Sequence, residues 1–240
     1  MRAVGQRFAS MGTKDIRKNI SGGIDIRIQR QLKSYKKDDS PPSRVEPVPI
    51  TIILYILHRA YGSKRVADSQ AVADVITIAF FFLLRPGEYT GTTTDDAAFS
   101  LADVTLFLQD KELDPMTAPL QDIEAATAVK LTFTTQKNGT RNESILHGRS
   151  DDALCCPTKA VIQRNLHHRH HNSKSTTSLA SYYNPRRNWL VAVKAKDVTG
   201  VLRHAAAANR SVTGINPKDI SARSLRAGGA MALLLSLIHI

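Results

Sequence analysis

The spacing of apolar and polar residues predicts two packed helices early in the main part of the chain. Apolar residues recur with a helical period from Ile50 to Tyr61, directly after Pro49, and again from Asp68 to Phe82. The second segment is apolar on nearly every face toward its end, which is typical of a buried central helix. This helix is expected to end at a charged corner, residues 84–89.

Short strands are predicted in the middle of the chain. Val104–Leu108 is an apolar run, and Val129–Thr135 alternates apolar and polar side chains, as a half-buried strand does. The pair Asn138-Gly139 favours a tight turn because it accepts positive φ angles, and Arg141–Leu146 would return as the partner strand. The pattern therefore predicts a small antiparallel sheet with Lys137 at a hairpin tip.

Helical patterns return in the last third of the chain. One helix is predicted from Pro157 toward His170, one through Leu202–Ala208, and a final one from Ala222 to Leu235. Residues 172–181 are polar and predict a flexible surface loop. Since helices outweigh strands, the predicted fold class is α+β, mainly α.

Composition predicts three regions along the chain. Residues 1–39 are basic and polar and bury too little to fold alone, so they are expected to be an arm or the remnant of a helical domain. Residues 40–49 contain four prolines, which favours an extended linker. Residues 50–240 are expected to form one main domain.

Charge is segregated along the chain. The net charge of +12 divides into +6 for residues 1–50, −5 for residues 51–130 and +11 for residues 131–240. Basic ends around an acidic middle favour a polyanionic partner, and nucleic acid is favoured over a membrane because no basic amphipathic helix is evident. The longest apolar run, Val75–Leu84, is too short to span a bilayer, and no signal peptide is recognisable, so we expect an intracellular protein.

Three clusters have both a structural and a functional interpretation. Four histidines within residues 167–171 lack a carboxylate or cysteine at ligand spacing, so a solvated basic helix end is favoured and neither metal nor cofactor is predicted. Residues 182–189 hold two tyrosines, two arginines and a tryptophan, which would contact bases and phosphates or form a loop anchored by its aromatic rings. The adjacent Cys155 and Cys156 predict reduced thiols.

Four cations, Arg85, Lys137, Arg223 and Arg226, could surround one phosphodiester, and four unrelated surface cations are the alternative. Arg223 and Arg226 are three residues apart, so on one helix their guanidinium groups would point the same way. The pair Gly228-Gly229 weakens a helix by about 1 kcal/mol per glycine, so close packing against the central helix is expected there.

Three segments, in this order, resemble the motifs of tyrosine recombinases, the integrase family. Leu84-Arg-Pro-Gly-Glu-Tyr89 resembles the first arginine box of the eukaryotic, transposon-like branch. The hairpin of Lys137 resembles the family's lysine hairpin, and Ser221–Ala230 resembles its second arginine box. The resemblance covers residues 45–235 and implies an integrase-like catalytic domain of a DNA breaking and rejoining enzyme.

The resemblance also implies roles for individual residues. Arg85 and Arg226 would bind the nonbridging oxygens of the scissile phosphate, Lys137 would protonate the departing 5′ oxygen, and Glu88 would orient Arg85. Arg223 stands where the family usually has histidine; it can bind phosphate but cannot readily exchange a proton. Further contacts with double-stranded DNA are expected from Arg141, Arg186, Arg187 and Arg203.

The implied function is site-specific recombination or DNA integration through a 3′-phosphotyrosyl intermediate, by a nuclear protein that assembles as a homotetramer on DNA. The family's tyrosine follows the second arginine box, but residues 227–240 contain no tyrosine. We therefore expect the chain to be truncated at both ends and to bind DNA without cleaving it. A noncatalytic DNA-binding or regulatory module derived from a recombinase is the alternative.

Overall fold

The computed structural model describes residues 18, 21–26, 28–30, 45–62, 67–90, 98–134 and 142–238. The chain divides into two compact units, Met1–Ser43 and Arg44–Ile240. The described residues of the first unit form an antiparallel bridge between Lys18 and Ile24, followed by helical residues at 26 and 28–30. Its Gln29 side chain donates a hydrogen bond to the Ile24 carbonyl at 2.9 Å.

The second unit is α+β, with about half of the described residues in helices, which confirms the predicted fold class at this level. The helices are α1 (Ile50–Gly62), α2 (Ala67–Phe81), α3 (Pro86–Tyr89), α4 (Leu120–Ala125), α5 (Pro157–His170), α6 (Ala195–Ala208), α7 (Arg210–Thr213) and α8 (Ser224–Ile238). Short 3-10 turns occur at Leu101–Asp103 and Pro217–Asp219. No helix within the described ranges is long and apolar enough to cross a membrane.

The strands of the described residues form two antiparallel sheets. They are β1 (Val104–Leu108), β2 (Lys111–Leu113), β3 (Ala128–Phe133), β4 (Glu143–Gly148), β5 (Ser181–Asn184) and β6 (Trp189–Ala192). The first four form one sheet in the order β2-β1-β3-β4, and β5 and β6 form a separate hairpin. In the larger sheet Leu106 pairs with Val129, and Leu131 pairs with Ile145.

The predicted sheet is confirmed where the structure describes it. The first strand, β1, has the predicted bounds, and β3 buries Val129, Leu131 and Phe133 while its alternate residues stay partly exposed. The predicted hairpin tip with Lys137, and also Arg141, lies outside the described residues.

Helix α2 is the centre of the core, as its apolar pattern predicts. Every residue from 71 to 80 is buried, because α1, α5 and α8 pack around the helix. One acidic residue lies in this stretch, Asp74, whose carboxylate binds Arg164 of α5 at 2.9 Å and accepts a hydrogen bond from the Tyr61 hydroxyl. The pattern of apolar residues did not predict this buried ion pair.

The histidine-rich end of α5 is packed at His167 and His168, so the expectation of a solvated helix end was wrong for these two residues, whereas His170 is exposed. His168 is fully buried, with Nδ1 3.0 Å from the Ser173 hydroxyl. His167 Nε2 accepts a hydrogen bond from the Tyr183 amide at 2.9 Å, and the His171 ring stacks on Tyr183. The segment after the helix looks polar in sequence, but its Ser173 and Tyr183 contact the histidines and cover this end of α5.

The end of the predicted surface loop of residues 172–181 is packed, although residues 172 and 174–176 are exposed as expected. Leu179, Ala180 and Ser181 are buried, and the Leu179 amide donates to the Phe99 carbonyl at 2.8 Å. The tyrosines and the tryptophan that follow belong to β5 and β6, so they form a hairpin instead of an irregular loop.

Candidate functional site

The corner after α2 exposes Arg85 and fixes its backbone. Leu83 has a positive φ of 54° that reverses the chain, and Pro86 begins α3. Arg85 Nη1 donates to Glu88 Oε1 at 3.1 Å, while the Arg85 amide donates to Oε2 at 2.7 Å. Glu88 therefore holds both the backbone and the guanidinium of Arg85, and the arginine side chain remains 45% exposed.

The second arginine box lies across the start of α8. The helix begins at Ser224, so Arg223 lies in the preceding turn and Arg226 lies in the first helical turn, and both are exposed. The Ser224 hydroxyl accepts a hydrogen bond from the Ser221 amide at 3.1 Å, which fixes this turn. The prediction that one helix carries both arginines on one face was therefore wrong for Arg223.

A buried hydrogen bond joins the two arginine boxes. The Tyr89 hydroxyl, at the end of the first box, donates to the carbonyl of Ala222 at 2.9 Å across 133 residues of sequence. Arg223 directly follows this acceptor. Because Tyr89 is 3% exposed, its hydroxyl is shielded from water, and the connection is part of the core.

A close helix contact joins the same segments at their other end. A Cβ atom placed on Gly229 would lie 2.1 Å from the Phe80 carbonyl oxygen and 2.7 Å from Leu83 Cδ2. Only glycine fits there, which confirms the predicted packing against α2. A Cβ atom on Gly228 would meet Val48 instead, at 2.1 Å from its carbonyl oxygen.

These two connections hold the arginine boxes side by side. Leu83 contacts Gly229, and Tyr89 bonds Ala222. Along the sequence, Arg85 lies between Leu83 and Tyr89. Arg223 and Arg226 likewise lie between Ala222 and Gly229. The two segments that carry these three exposed arginines are thus joined at two points, and each guanidinium offers forked donors that suit phosphate oxygens. The arrangement can bind an anion.

Helix α6 supports the second box from the other side. Arg203 donates from Nε to the Ile220 carbonyl at 2.9 Å and from Nη2 to the Lys218 carbonyl at 3.3 Å. The Thr199 hydroxyl accepts a hydrogen bond from the Ala222 amide at 3.0 Å. Arg203 therefore positions the turn before Arg223, and its contact with DNA stays a prediction.

The strand that leads toward Lys137 ends near the Arg85 corner. Phe133, the last residue of β3, packs edge-on against Phe99 with ring centroids 4.9 Å apart. The Phe99 amide in turn donates to the Glu88 carbonyl at 3.1 Å. The end of β3 is thus connected to the first box through Phe99. A role for Lys137 as an acid stays a prediction.

Arg186 and Arg187 lie at the tip of the β5–β6 hairpin, and both are exposed. The base of this hairpin is connected to the Arg85 corner through Phe99, whose carbonyl accepts from Leu179 and whose amide donates to Glu88. Among the described residues, no contact joins these two arginines to Arg85, Arg223 or Arg226, although Leu179 at the hairpin base and Glu88 of the first box both bond Phe99.

No group of three or more His, Cys, Asp or Glu side chains suited to a metal ion occurs among the described residues.

Two side chains that could act as nucleophiles, Cys155 and Tyr89, are buried. Cys155 and Cys156 are free and buried, and burial raises the pKa of Cys155 to about 12, so its thiolate is scarce at neutral pH. Burial also raises the pKa of Tyr89 well above its usual value, so this tyrosine is a poor nucleophile.

Three comparisons with known proteins, against family models, curated proteins and solved structures, found no match. The basis for a function is therefore the site itself: two segments, far apart in sequence and each with an exposed arginine, that buried contacts hold together.

Proposed function

We propose that the chain is a DNA-binding domain of the tyrosine recombinase type, with an integrase-like fold, that clamps one phosphodiester of double-stranded DNA. The observation that carries the proposal is the hydrogen bond from Tyr89 to Ala222, which joins the two arginine boxes across 133 residues. Neither box alone would be specific. The hydrogen bond between them supports the proposal, because the resemblance implies that both boxes bind one phosphate.

In this proposal Arg85 and Arg226 bind the nonbridging oxygens of the phosphate, and Arg223 adds a third donor group. Phosphoryl transfer places negative charge on these oxygens, so donors fixed before the reaction stabilise the transition state more than flexible ones do. Glu88 supplies this order at Arg85, since it accepts hydrogen bonds from both the guanidinium and the backbone amide.

The proposal separates DNA binding from strand breakage. The six tyrosines of the chain all precede the second arginine box. Tyr89, the last residue of the first box, is buried and donates its hydroxyl hydrogen to the Ala222 carbonyl. We therefore assign phosphate binding, and not strand breakage, to Arg85, Arg223 and Arg226. Breakage and rejoining through a 3′-phosphotyrosyl link, in the nucleus and by a tetramer, would need a protein that also supplies the nucleophile.

Binding of a labelled 30-base-pair duplex, followed by fluorescence anisotropy over a range of salt concentrations, tests the clamp. We expect salt-sensitive binding, and we expect Arg85→Ala and Arg226→Ala each to weaken it about tenfold and to lower the salt slope by about one. Arg210→Ala is the matched control, because Arg210 is an exposed arginine on α7 that belongs to neither box, and it should change affinity less than about twofold. Equal effects of all three substitutions, or binding insensitive to salt, would refute the clamp.

A nicked suicide substrate distinguishes the recombinase from the noncatalytic module. The burial of Tyr89, the tyrosine within the first box, is the observation that favours the module for this chain. We expect no covalent protein–DNA adduct on denaturing gels. An adduct would contradict this expectation and would show that one of the six tyrosines present is a nucleophile.

A further inference from the structure

The tip of the β5–β6 hairpin exposes a large aromatic ring beside two cations. Trp189 is the single tryptophan of the chain and is 58% exposed, although side chains of this size are usually buried. Arg186 and Arg187 precede it in the turn, and both are exposed. The described part of the chain therefore leaves more than half of this side chain uncovered.

Hydrogen bonds fix the backbone of the tip, at which Arg186, Arg187 and Trp189 are exposed. The Asn184 side-chain oxygen accepts from the amides of Arg186 and Arg187 at 3.0 and 3.2 Å. Asn188 takes a left-handed φ of 57°, and its side-chain oxygen accepts from the Tyr183 hydroxyl. The turn is therefore formed before any partner arrives, which lowers the entropic cost of binding.

The base of the hairpin is equally well held. The Tyr183 amide donates to His167 Nε2, and its ring stacks on His171 with centroids 4.2 Å apart. The Val193 amide donates to the Ala180 carbonyl at 2.8 Å, which closes the hairpin against the core. A rigid base with an exposed tip is suited to presenting side chains to another molecule.

The positive charge around the β5–β6 hairpin indicates which kind of partner its tip would bind. Residues 152–197 contain eight Lys or Arg and two Asp, a net charge of +6. Arg164 is neutralised by Asp74, and the Arg169 guanidinium binds the Ala118 carbonyl. In contrast, neither guanidinium of Arg186 and Arg187 forms an ion pair or hydrogen bond within the described part of the chain. Unpaired arginines beside an exposed ring favour a polyanion with flat faces.

We propose that this hairpin tip is a second DNA contact, at which Trp189 stacks on an unpaired base while Arg186 and Arg187 bind the flanking phosphates. An intact duplex covers its base faces by internal stacking, so the indole needs a gap, a nick or a frayed end to reach one. The inference rests on the proposed DNA binding, but it assigns a different group of residues and a different DNA feature.

The single tryptophan makes the contact directly measurable. Titration of the protein with a duplex that carries a three-nucleotide gap should quench the intrinsic fluorescence by roughly half or more, because bases stacked on indole quench it, and an intact duplex of equal length should quench it far less. By anisotropy, Trp189→Ala should weaken gapped-DNA binding about tenfold, whereas Trp189→Phe, which keeps an aromatic face, should stay within about threefold.

Leu190→Ala is the matched control, since Leu190 is also exposed, at 37%, but is the neighbouring residue of the same strand and points to the opposite face of the hairpin. It should leave gapped-DNA affinity within about twofold of the parent protein. Arg186→Ala and Arg187→Ala should each weaken binding to both DNAs and lower the salt slope by about one.

Several results would overturn the inference without touching the arginine clamp. One is gapped-DNA binding with unchanged fluorescence and no effect of Trp189→Ala. Another is equal quenching by intact and gapped duplex, which would indicate contact without stacking on an unpaired base. A third is a Trp189→Ala variant with normal DNA affinity but weakened self-association in sedimentation, which would make the tip a protein contact. If Arg85→Ala and Arg226→Ala lower the affinity while the tip variants do not, the clamp stands alone.

Discussion

Two arginine–carboxylate pairs in this protein have almost the same geometry and opposite surroundings. Arg164 lies 2.9 Å from Asp74, and both side chains are almost completely buried, at 4% and 2% exposed. Arg85 lies 3.1 Å from Glu88, and these side chains are 45% and 21% exposed. The comparison shows that burial, more than the contact distance, decides whether such a pair serves folding or leaves a cation available for a ligand.

The interior pair is surrounded by partners. Asp74 accepts from both Arg164 and Tyr61, and Arg164 also donates to the Ser181 carbonyl at 3.4 Å. Burial raises the pKa of Asp74 to about 6, although Arg164 and the hydrogen bond from Tyr61 lower it. The carboxylate is therefore charged at neutral pH, and each charge depends on the other.

Within the described ranges, the surface pair leaves donors unused. A guanidinium has five N–H groups, and the hydrogen bond found there for that of Arg85 goes to Glu88. Water screens this contact, so it contributes little to stability. The remaining donors can turn to an anion, which is the property that the proposed clamp requires.

The largest effect is expected from breaking the interior pair. Asp74→Ala should lower the free energy of unfolding by about 3–5 kcal/mol, because it leaves the Arg164 charge buried without a counter-ion. Urea unfolding at pH 7 measures this. The double variant Asp74→Leu with Arg164→Met removes both charges and should recover most of the loss. A loss below about 1 kcal/mol in Asp74→Ala would mean that water reaches the pair.

The next effect concerns the contact that holds the second box against the first. Gly229→Ala should destabilise the protein by about 1–3 kcal/mol, because the added methyl group meets the Phe80 carbonyl oxygen and α8 must shift. It should also weaken DNA binding, since the arginines of the two boxes move apart. Thermal unfolding and anisotropy measure both.

Gly200 provides the control for this substitution. It also lies within a helix, α6, but a Cβ atom there would meet nothing within 4 Å. Gly200→Ala should therefore stabilise the protein by up to about 1 kcal/mol through the higher helix propensity of alanine. If both alanine variants behave alike, Gly229 is not a packing requirement.

The difference between the two pairs also shows what the sequence could and could not predict. The central helix, the strand of residues 104–108 and the helix of residues 157–170 follow from local sequence, and the structure has them close to the predicted bounds. Local sequence is sufficient there because an apolar run marks the first two elements and Pro157 marks the start of the third. The exposed first arginine box was also visible, since Arg85 and Glu88 are three residues apart.

The interior pair could not be predicted in the same way. Its residues are 90 positions apart, so no local pattern joins them. Asp74 alone was a signal, because one acid within a buried apolar helix requires a partner. The β5–β6 hairpin was missed for a similar reason: its strands are four residues each, and its contacts are with histidines of another element.

A smaller effect is expected from the histidines beside the interior pair. Burial lowers the pKa of His167 to about 3 and that of His168 to about 4, from 6.5 in the unfolded chain. The unfolded chain therefore binds more protons below pH 6.5, and stability should fall as the pH decreases from 6.5 to 4. Asp74, with its pKa raised from 3.8 to about 6, opposes this trend, but two histidines outweigh one carboxylate.

Urea unfolding at pH 7, 6 and 5 measures this slope. His168→Gln should flatten it, because the variant lacks one group that must stay neutral to remain buried. His204→Gln is the control, since His204 is exposed on α6. Parallel pH profiles for His168→Gln and the parent protein would show that His168 is not the group that titrates.

The smallest effect is expected from breaking the surface pair. A double-mutant cycle of Arg85→Ala and Glu88→Gln should give a coupling energy below about 1 kcal/mol in urea unfolding, because both side chains remain partly in water. The same cycle on Arg164 and Asp74 should give several times more. The surface pair should instead be coupled in DNA binding: Glu88→Gln should weaken binding in the presence of Arg85 and have less effect in the Arg85→Ala background, since Glu88 acts by holding that arginine. Equal effects of Glu88→Gln in both backgrounds would show that the carboxylate acts on DNA binding through its own charge and does not orient Arg85.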